Sequence, residues 1–182
     1  MDRVPVVRQQ IDSAIRALGS ANAAGTDWAV ARVAIGVGQM ANRTQVSDEN
    51  IQRRMRELIL AELRAAGTIA LMPDAVDRDF ERRVAERRLH RYFVEGTVSR
   101  FAESLAGDSI SIRCEVSLVI LTDPGRDLRM ILSGAATSHE SGGAFSAARA
   151  NHMRDQALEG AVRSASSRLL STLLSQTAAT LR

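Results

Sequence analysis

Residues 33–44 read VAIGVGQMANRT, and the order of residue types in them decides the fold. An apolar strand runs into Gly36 and Gly38 and breaks into the polar loop Asn42-Arg43-Thr44. An amphipathic helix takes over from about Ser47. Strand, loop, helix is the opening of a βαβ unit, in which binding groups collect just past the strand's C-terminal end. Near-continuous apolar character over 28–38 predicts a strand buried on both faces, central in its sheet.

Working forward, Ser47 has the chemistry of a helix cap, and Asp48 and Glu49 suit the positive end of the helix dipole. Ile51, Met55, Leu58, Ile59 and Leu63 recur at helical spacing and predict its buried stripe. Gly67 stops the helix, and 68–72 is a short strand ended by Pro73. A right-handed crossover then makes the two strands parallel. Residues 75–89 predict a charged helix with Val76, Phe80 and Val84 as its apolar positions.

Three longer strands follow over about 91–103, 109–122 and 127–138. In the middle one, Ile110, Ile112, Cys114, Val116, Leu118 and Ile120 alternate with Ser109, Ser111, Arg113, Glu115 and Ser117, as in a sheet with one face on the core. Ala106-Gly107-Asp108 and Asp123-Pro124-Gly125-Arg126 supply the turns. His139–Ser146 reads as a Gly/Ser-rich loop. A final helix over 147–177 carries the stripe Met153, Ala157, Leu158, Ala161, Val162, Ala165, Leu169, Leu173 and Leu174. Its small residues predict close contact with the sheet.

Working backward, Val7, Ile11, Ala14 and Leu18 predict an amphipathic helix over 4–18, with a small-residue linker up to Asp27. The expected organisation is an N-terminal helix and linker over 1–27, then one domain over 28–182. The fold class is α/β (α+β). A mixed sheet of about five strands begins as a parallel βαβ unit and ends as an antiparallel meander. Helices cover it, including a long C-terminal one.

The totals agree with one soluble domain. A chain of 182 residues is 45% hydrophobic and 25% charged, within the range of globular proteins. With 3% aromatic residues, the core must be built from Ala, Val, Ile and Leu. All 24 Lys+Arg residues are Arg, which takes the pI to 10.2 while the net charge is only +3. A GC-rich bacterial genome accounts for that preference without a nucleic-acid role. Cys114 is the only cysteine, so no intrachain disulfide can form. It lies mid-strand and is no lipidation site. The opening MDRVPVVRQQ lacks a signal peptide's apolar run, and no stretch reaches the ~18 apolar residues of a membrane span.

Few residues propose chemistry. Gly36, Gly38 and Ala41 satisfy the spacing of a dinucleotide fingerprint, and Glu57 lies about 20 residues on. The predicted helix starts too late, near 48, to hold a pyrophosphate, and Glu57 falls inside it. His90, His139 and His152 share no metal-ligand spacing, so neither a metal nor a cofactor is expected. Ser138-His139-Glu140 has catalytic residue types, but neighbours in sequence cannot form a triad. No nucleophile elbow, paired carboxylates or P-loop is present, and the chain does not read as an enzyme.

The candidate set is instead one for docking: Asn42, Arg43 and Thr44 in the first loop, with Arg83, Arg87 and Arg88 in the basic run 81–91. Asn42 and Thr44 are also good turn formers, whereas Arg43 has no local structural task. The basic run, which includes Arg82, Arg91 and His90, contains Glu81 and Glu86 at pairing distance. A solvated helix face is its simplest reading. A nucleic-acid surface would need aromatic interleaving that Tyr92 and Phe93, at the start of a strand, do not provide.

Three segments resemble one known group of bacterial envelope domains. VAIGVGQMANRT is similar to a strand ending in an Asn-x-Thr loop. MRELILAELRAAGTIALM (55–72) is similar to its helix, small residue, Gly and strand. YFVEGTVSRF at 92–101 is similar to the strand after the middle helix. The chain over about 30–175 resembles the LpoB / CsgG / TolB N-terminal group, most closely LpoB-type activators of penicillin-binding proteins. The resemblance implies a non-enzymatic domain in the periplasm or at the outer membrane. Its partner would be an envelope protein such as a peptidoglycan synthase. The CsgG likeness implies a self-assembling homo-oligomer as an alternative. A cytoplasmic nucleic-acid-binding module is a further, weaker alternative. The extra N-terminal helix and the missing export signals depart from the group's pattern.

Overall fold

The computed structural model describes residues 27–46, 48, 50–142 and 146–180. The helix expected over 4–18 and the cap expected at Ser47 lie outside them. The elements run β1 (Val33–Asn42), α1 (Asn50–Ala65), β2 (Ile69–Leu71), α2 (Arg78–Glu86), β3 (His90–Ala106), β4 (Ser109–Asp123), β5 (Leu128–Ser141) and α3 (Ala147–Thr180). They form a single five-stranded sheet of order β2-β1-β3-β4-β5. β1 is parallel to both β2 and β3, and β3, β4 and β5 are an antiparallel meander. The mixed sheet with a parallel βαβ start is the expected architecture.

The two faces differ in how they are covered. On one, α1 and α3 lie over Val33, Ile35, Val37, Val94, Val98 and the even-numbered residues of β4 from Ile110 to Ile120, all buried. Ile51, Met55, Ile59 and Leu63 are the buried stripe of α1, each contributing roughly 1.5–3 kcal/mol of apolar burial. Leu58, placed on the same stripe by sequence, is only partly buried. α3 approaches β5 so closely that a Cβ added to Gly134 would lie 2.1 Å from the Ala161 carbonyl oxygen. Ala157, Ala161 and Ala165 make this possible, as the small residues of the final helix predict.

On the opposite face a smaller cluster joins Ala31, Ala34, Ala70 and Met72 to Phe80 and Val84 of α2. Trp28 meets Phe80 edge-on at 5.3 Å. α2 is capped at Asp77, whose carboxylate accepts from the Phe80 N–H at 2.8 Å. Its other end is a Schellman turn: the Arg88 N–H donates to Ala85 and the Leu89 N–H to Val84. Arg88 sits in the left-handed region at φ 51°, where glycine is the usual residue.

Three expected boundaries are corrected. β1 covers Val33–Asn42 rather than 28–38, because a register shift between Val37 and Met40 lets it continue past the glycines. α2 is shorter than 75–89, since the capped Asp77 and the turn at Arg88 close it at both ends. β5 runs through Ser141, so His139–Ser141 are strand and not loop. It is an edge strand with one exposed long side, and polar residues continue it without an apolar signal.

Candidate functional site

β1 ends where the βαβ pattern directs attention, and its last residues are tied into a compact turn. Asn42 Oδ1 accepts from the Thr44 N–H at 3.0 Å and from the Thr44 hydroxyl at 2.7 Å. Asn42 Nδ2 donates to the Val46 carbonyl at 2.9 Å, and the Val46 N–H donates to Thr44 Oγ1 at 3.3 Å. The Arg43 N–H donates to the Val98 carbonyl at 2.9 Å and so extends the ladder to β3. The side-chain polar atoms of Asn42 and Thr44 are therefore all engaged within the turn. The Arg43 side chain is exposed and makes no ion pair or hydrogen bond among the described residues.

A polar cleft of about 370 Å³ opens beside this turn, between the N-terminal halves of α1 and α3. Val46, Asp48, Arg53, Arg54, Asn151 and Arg154 are among its walls. Its charges are mostly matched. Arg53 and Arg54 approach Glu57 at 3.9 and 3.8 Å, and Arg154 reaches Glu103 and Asn151. Such a surface can exchange ion pairs with a polar partner.

Arg56 is a functional-looking residue that proves structural, and its sequence position says nothing of it. It donates to the Val37 carbonyl at 3.2 Å and pairs with Asp74. The Ile35 carbonyl accepts from the Met72 N–H just past the end of β2, and Arg56 supplies a donor to the next carbonyl on that side. This occupies the sheet's C-terminal edge, where a dinucleotide would have to sit. Gly36 and Gly38 serve packing as well. A Cβ at Gly36 would meet the Phe93 ring at 2.6 Å, and one at Gly38 would meet Glu95 Cγ at 3.2 Å. The fingerprint spacing has no phosphate-binding geometry behind it.

The basic run lies at the other end of β1. Arg87 Nη1 donates to the Ala29 carbonyl at 3.2 Å, before the strand begins, whereas Asn42 closes its end. At ~3.3 Å per residue the two groups are about 30 Å apart, so they are separate surfaces. Arg83 pairs with Asp79 at 2.9 Å and lies 5.5 Å over the Trp28 ring. Arg82 bonds Asp79, holding its carboxyl below the ordinary range, and Asp79 in turn raises the Arg82 guanidinium. Arg91 bridges Glu81 at 2.7 Å and Asp123 at 2.5 Å. Arg87 and Arg88 follow the helix rather than lie on its face, one as its cap and the other in the turn.

Ser138, His139 and Glu140 are dispersed by the strand alternation. Ser138 Oγ donates to Gln156 at 2.7 Å and Glu140 pairs with Arg149 at 2.5 Å, while His139 is exposed beside Ser141. Cys114 is wholly buried, and desolvation, with Glu115 adding, pushes its thiol up to about 12. Among the described residues no three His, Cys, Asp or Glu side chains converge as a metal site requires. No helix among them is long and apolar enough to cross a membrane.

No protein-family model and no curated protein matches the chain. Solved structures do. Protein XCC0632 from Xanthomonas campestris, of the family model DUF330, aligns with a TM-score of 0.51 at 13% identity over 83% of this chain and 94% of its own. The chain has that protein's fold. A minor lipoprotein of Acinetobacter baumannii is similar with a TM-score of 0.46 at 10% identity, over 73% of this chain and 92% of its own. Lipoprotein GNA1162 of Neisseria meningitidis is similar with a TM-score of 0.40 at 17% identity, over 80% and 98%.

Proposed function

We propose that this domain is a non-enzymatic docking module of the bacterial cell envelope. Its resemblance to LpoB-type activators makes a peptidoglycan synthase its partner. The observation that carries this reading is the turn after β1. Asn42 and Thr44 use their side-chain hydrogen bonds to fix it, and the fixed turn presents, beside a polar cleft, an exposed Arg43 whose side chain has no partner among the described residues. A cation on a rigid platform loses little freedom on binding. Arginine is among the residue types that dominate interface energies.

The test is binding of the periplasmic regions of the same organism's peptidoglycan synthases to the full chain. Arg43→Glu should weaken binding at least about tenfold, equivalent to ~1.4 kcal/mol. Its melting temperature should stay unchanged, because the side chain holds no part of the fold. Absence of binding by the unaltered protein, or equal binding by the variant, overturns the reading.

One observation favours a second reading. β5 offers a 14-residue strand at the open edge of the sheet, and such edges pair readily. A self-assembling envelope subunit, as the CsgG likeness implies, would use it. Light scattering over a concentration series separates the two, since a strict monomer excludes assembly.

A further inference from the structure

The basic run takes no part in the turn after β1, and its last arginines gather at the opposite end of that strand. Val33 pairs with both His90 and Ile69, so the residues just before β1 lie beside the end of α2. Residues 27–31 form a hydrogen-bonded turn there. The Asp27 carbonyl accepts from the Val30 N–H at 3.2 Å and from the Ala31 N–H at 3.1 Å. Arg87 Nη1 ties this turn to α2 through the Ala29 carbonyl. Arg88 follows in the Schellman turn, and Arg32 leads from the 27–31 turn into β1. Arg32, Arg87 and Arg88 are all exposed, and the Arg32 and Arg88 guanidiniums have no partner among the described residues. The acids beside them already hold donors: Asp27 Oδ1 accepts from the Ala29 N–H at 2.9 Å, and Glu86 pairs with Arg82 at 3.4 Å. Among these cations Val30, an aliphatic residue on the turn, is 47% exposed.

We propose that this end of the domain rests on an anionic lipid surface, with Arg32, Arg87 and Arg88 on the headgroup phosphates and Val30 entering between them. The guanidinium fork matches phosphate oxygens. A nucleic-acid backbone offers the same oxygens, but it has no apolar layer to take up Val30. Single-stranded nucleic acid also calls for an aromatic platform, and Trp28 is committed to Phe80 and Arg83. One arginine near an anionic leaflet is worth about fivefold in affinity, so three give about a hundredfold. That strength suits reversible surface binding rather than insertion. The Arg43 turn lies about 30 Å away along β1, so a domain seated this way holds that turn clear of the lipid. The contact is independent of any partner at Arg43.

Sedimentation of the full chain with vesicles tests this. Binding should be at least about tenfold tighter to vesicles of mixed phosphatidylglycerol and phosphatidylcholine than to phosphatidylcholine alone. It should fall at least about tenfold as salt rises from about 0.05 to about 0.5 M. Arg32→Ser combined with Arg88→Gly should weaken it about 25-fold, at about fivefold each. The melting temperature should not fall, because neither side chain has a partner and glycine suits φ 51° at position 88. Arg100→Ser, which removes one charge from an exposed position on β3, should leave vesicle binding unchanged. Val30→Ser should weaken it at least about threefold. Equal affinity for the two kinds of vesicle, or binding to neither, overturns the proposal. So does binding that the paired substitution leaves intact. Tighter binding to a duplex DNA oligonucleotide that ignores Val30→Ser also overturns it, and would assign the patch to nucleic acid.

Discussion

Replacing Gly134 by alanine should damage this fold more than any other one-carbon change on the sheet. The new Cβ would stand 2.1 Å from the Ala161 carbonyl oxygen, 2.7 Å from the Ala165 nitrogen and 3.0 Å from the Ala165 Cβ. Comfortable contact begins near ~3.5 Å, so α3 must retreat by more than about 1 Å. Two of the three obstacles are helix backbone and have no rotamer to change. A gap of ~0.5–1 Å already forfeits a quarter to a half of a dispersion well, and Ala157, Leu158, Ala161, Ala165 and Leu169 would all feel it. The loss should be about 3 kcal/mol, the upper end for overpacking. At roughly 2–4 °C per kcal/mol, the melting temperature should fall about 6–12 °C.

Urea unfolding followed by far-ultraviolet circular dichroism, with an unchanged slope, measures it. Gly36→Ala is the comparator. Its Cβ meets the Phe93 ring edge at 2.6 Å, an obstacle that can turn aside, so it should cost clearly less. A loss under about 0.5 kcal/mol for Gly134→Ala, the scale of ordinary surface changes, would refute the close helix–sheet contact.

Arg88→Gly should stabilise the protein by about 1 kcal/mol, because residue 88 occupies the left-handed position of a Schellman turn at φ 51°. Denaturant midpoints check it. Asn42→Ala should cost about 1–2 kcal/mol, since it removes the acceptor for two Thr44 donors and the donor to Val46. Binding through Arg43 should weaken with it, measured on the same synthase regions. Cys114 should resist a thiol reagent at pH 8 in the folded protein and react on unfolding. Its folded pKa of about 12 lies above the ordinary 9.0, so the folded state holds the proton more tightly. That contribution is fully present below pH 9 and is lost as pH rises toward about 12. Unfolding midpoints across that alkaline window, compared with Cys114→Ala, read it.

Much of the architecture was legible because two periodicities were strong. The alternation from Ile110 to Ile120 declares one buried face, and Ile51, Met55, Ile59 and Leu63 declare one buried helix stripe. Boundaries failed where backbone geometry overrode side-chain type. Glycines and a glutamine hide the continuation of β1, because its register shift carries no apolar mark. Ser138–Ser141 continue β5 with polar residues, as an edge strand can. The turn at 42–44 was readable as turn chemistry. The sequence already separated Arg43 from its turn-forming neighbours, and the folded chain adds the hydrogen bonds that occupy them. Arg56 gave no warning, since its partner is a backbone carbonyl of another element, on the side where the short β2 has ended.

The direction of β1 has a consequence for how the chain folds. β3, β4 and β5 meet through tight hairpins, Ala106 beside Ser109 and Leu121 beside Leu128, and α3 closes on them directly. β1 instead pairs Val33 with Ile69 and His90, across whole intervening elements. Closing those longer loops costs more chain entropy before any contact is gained. The meander and α3 are therefore the natural early nucleus, with β1, β2 and α1 joining later. Mutations at Ile112 or Leu118 should slow folding, whereas those at Ile35 should mainly hasten unfolding. On this order the turn that presents Arg43 should form late, and exchange of its amides should be faster than that of β4.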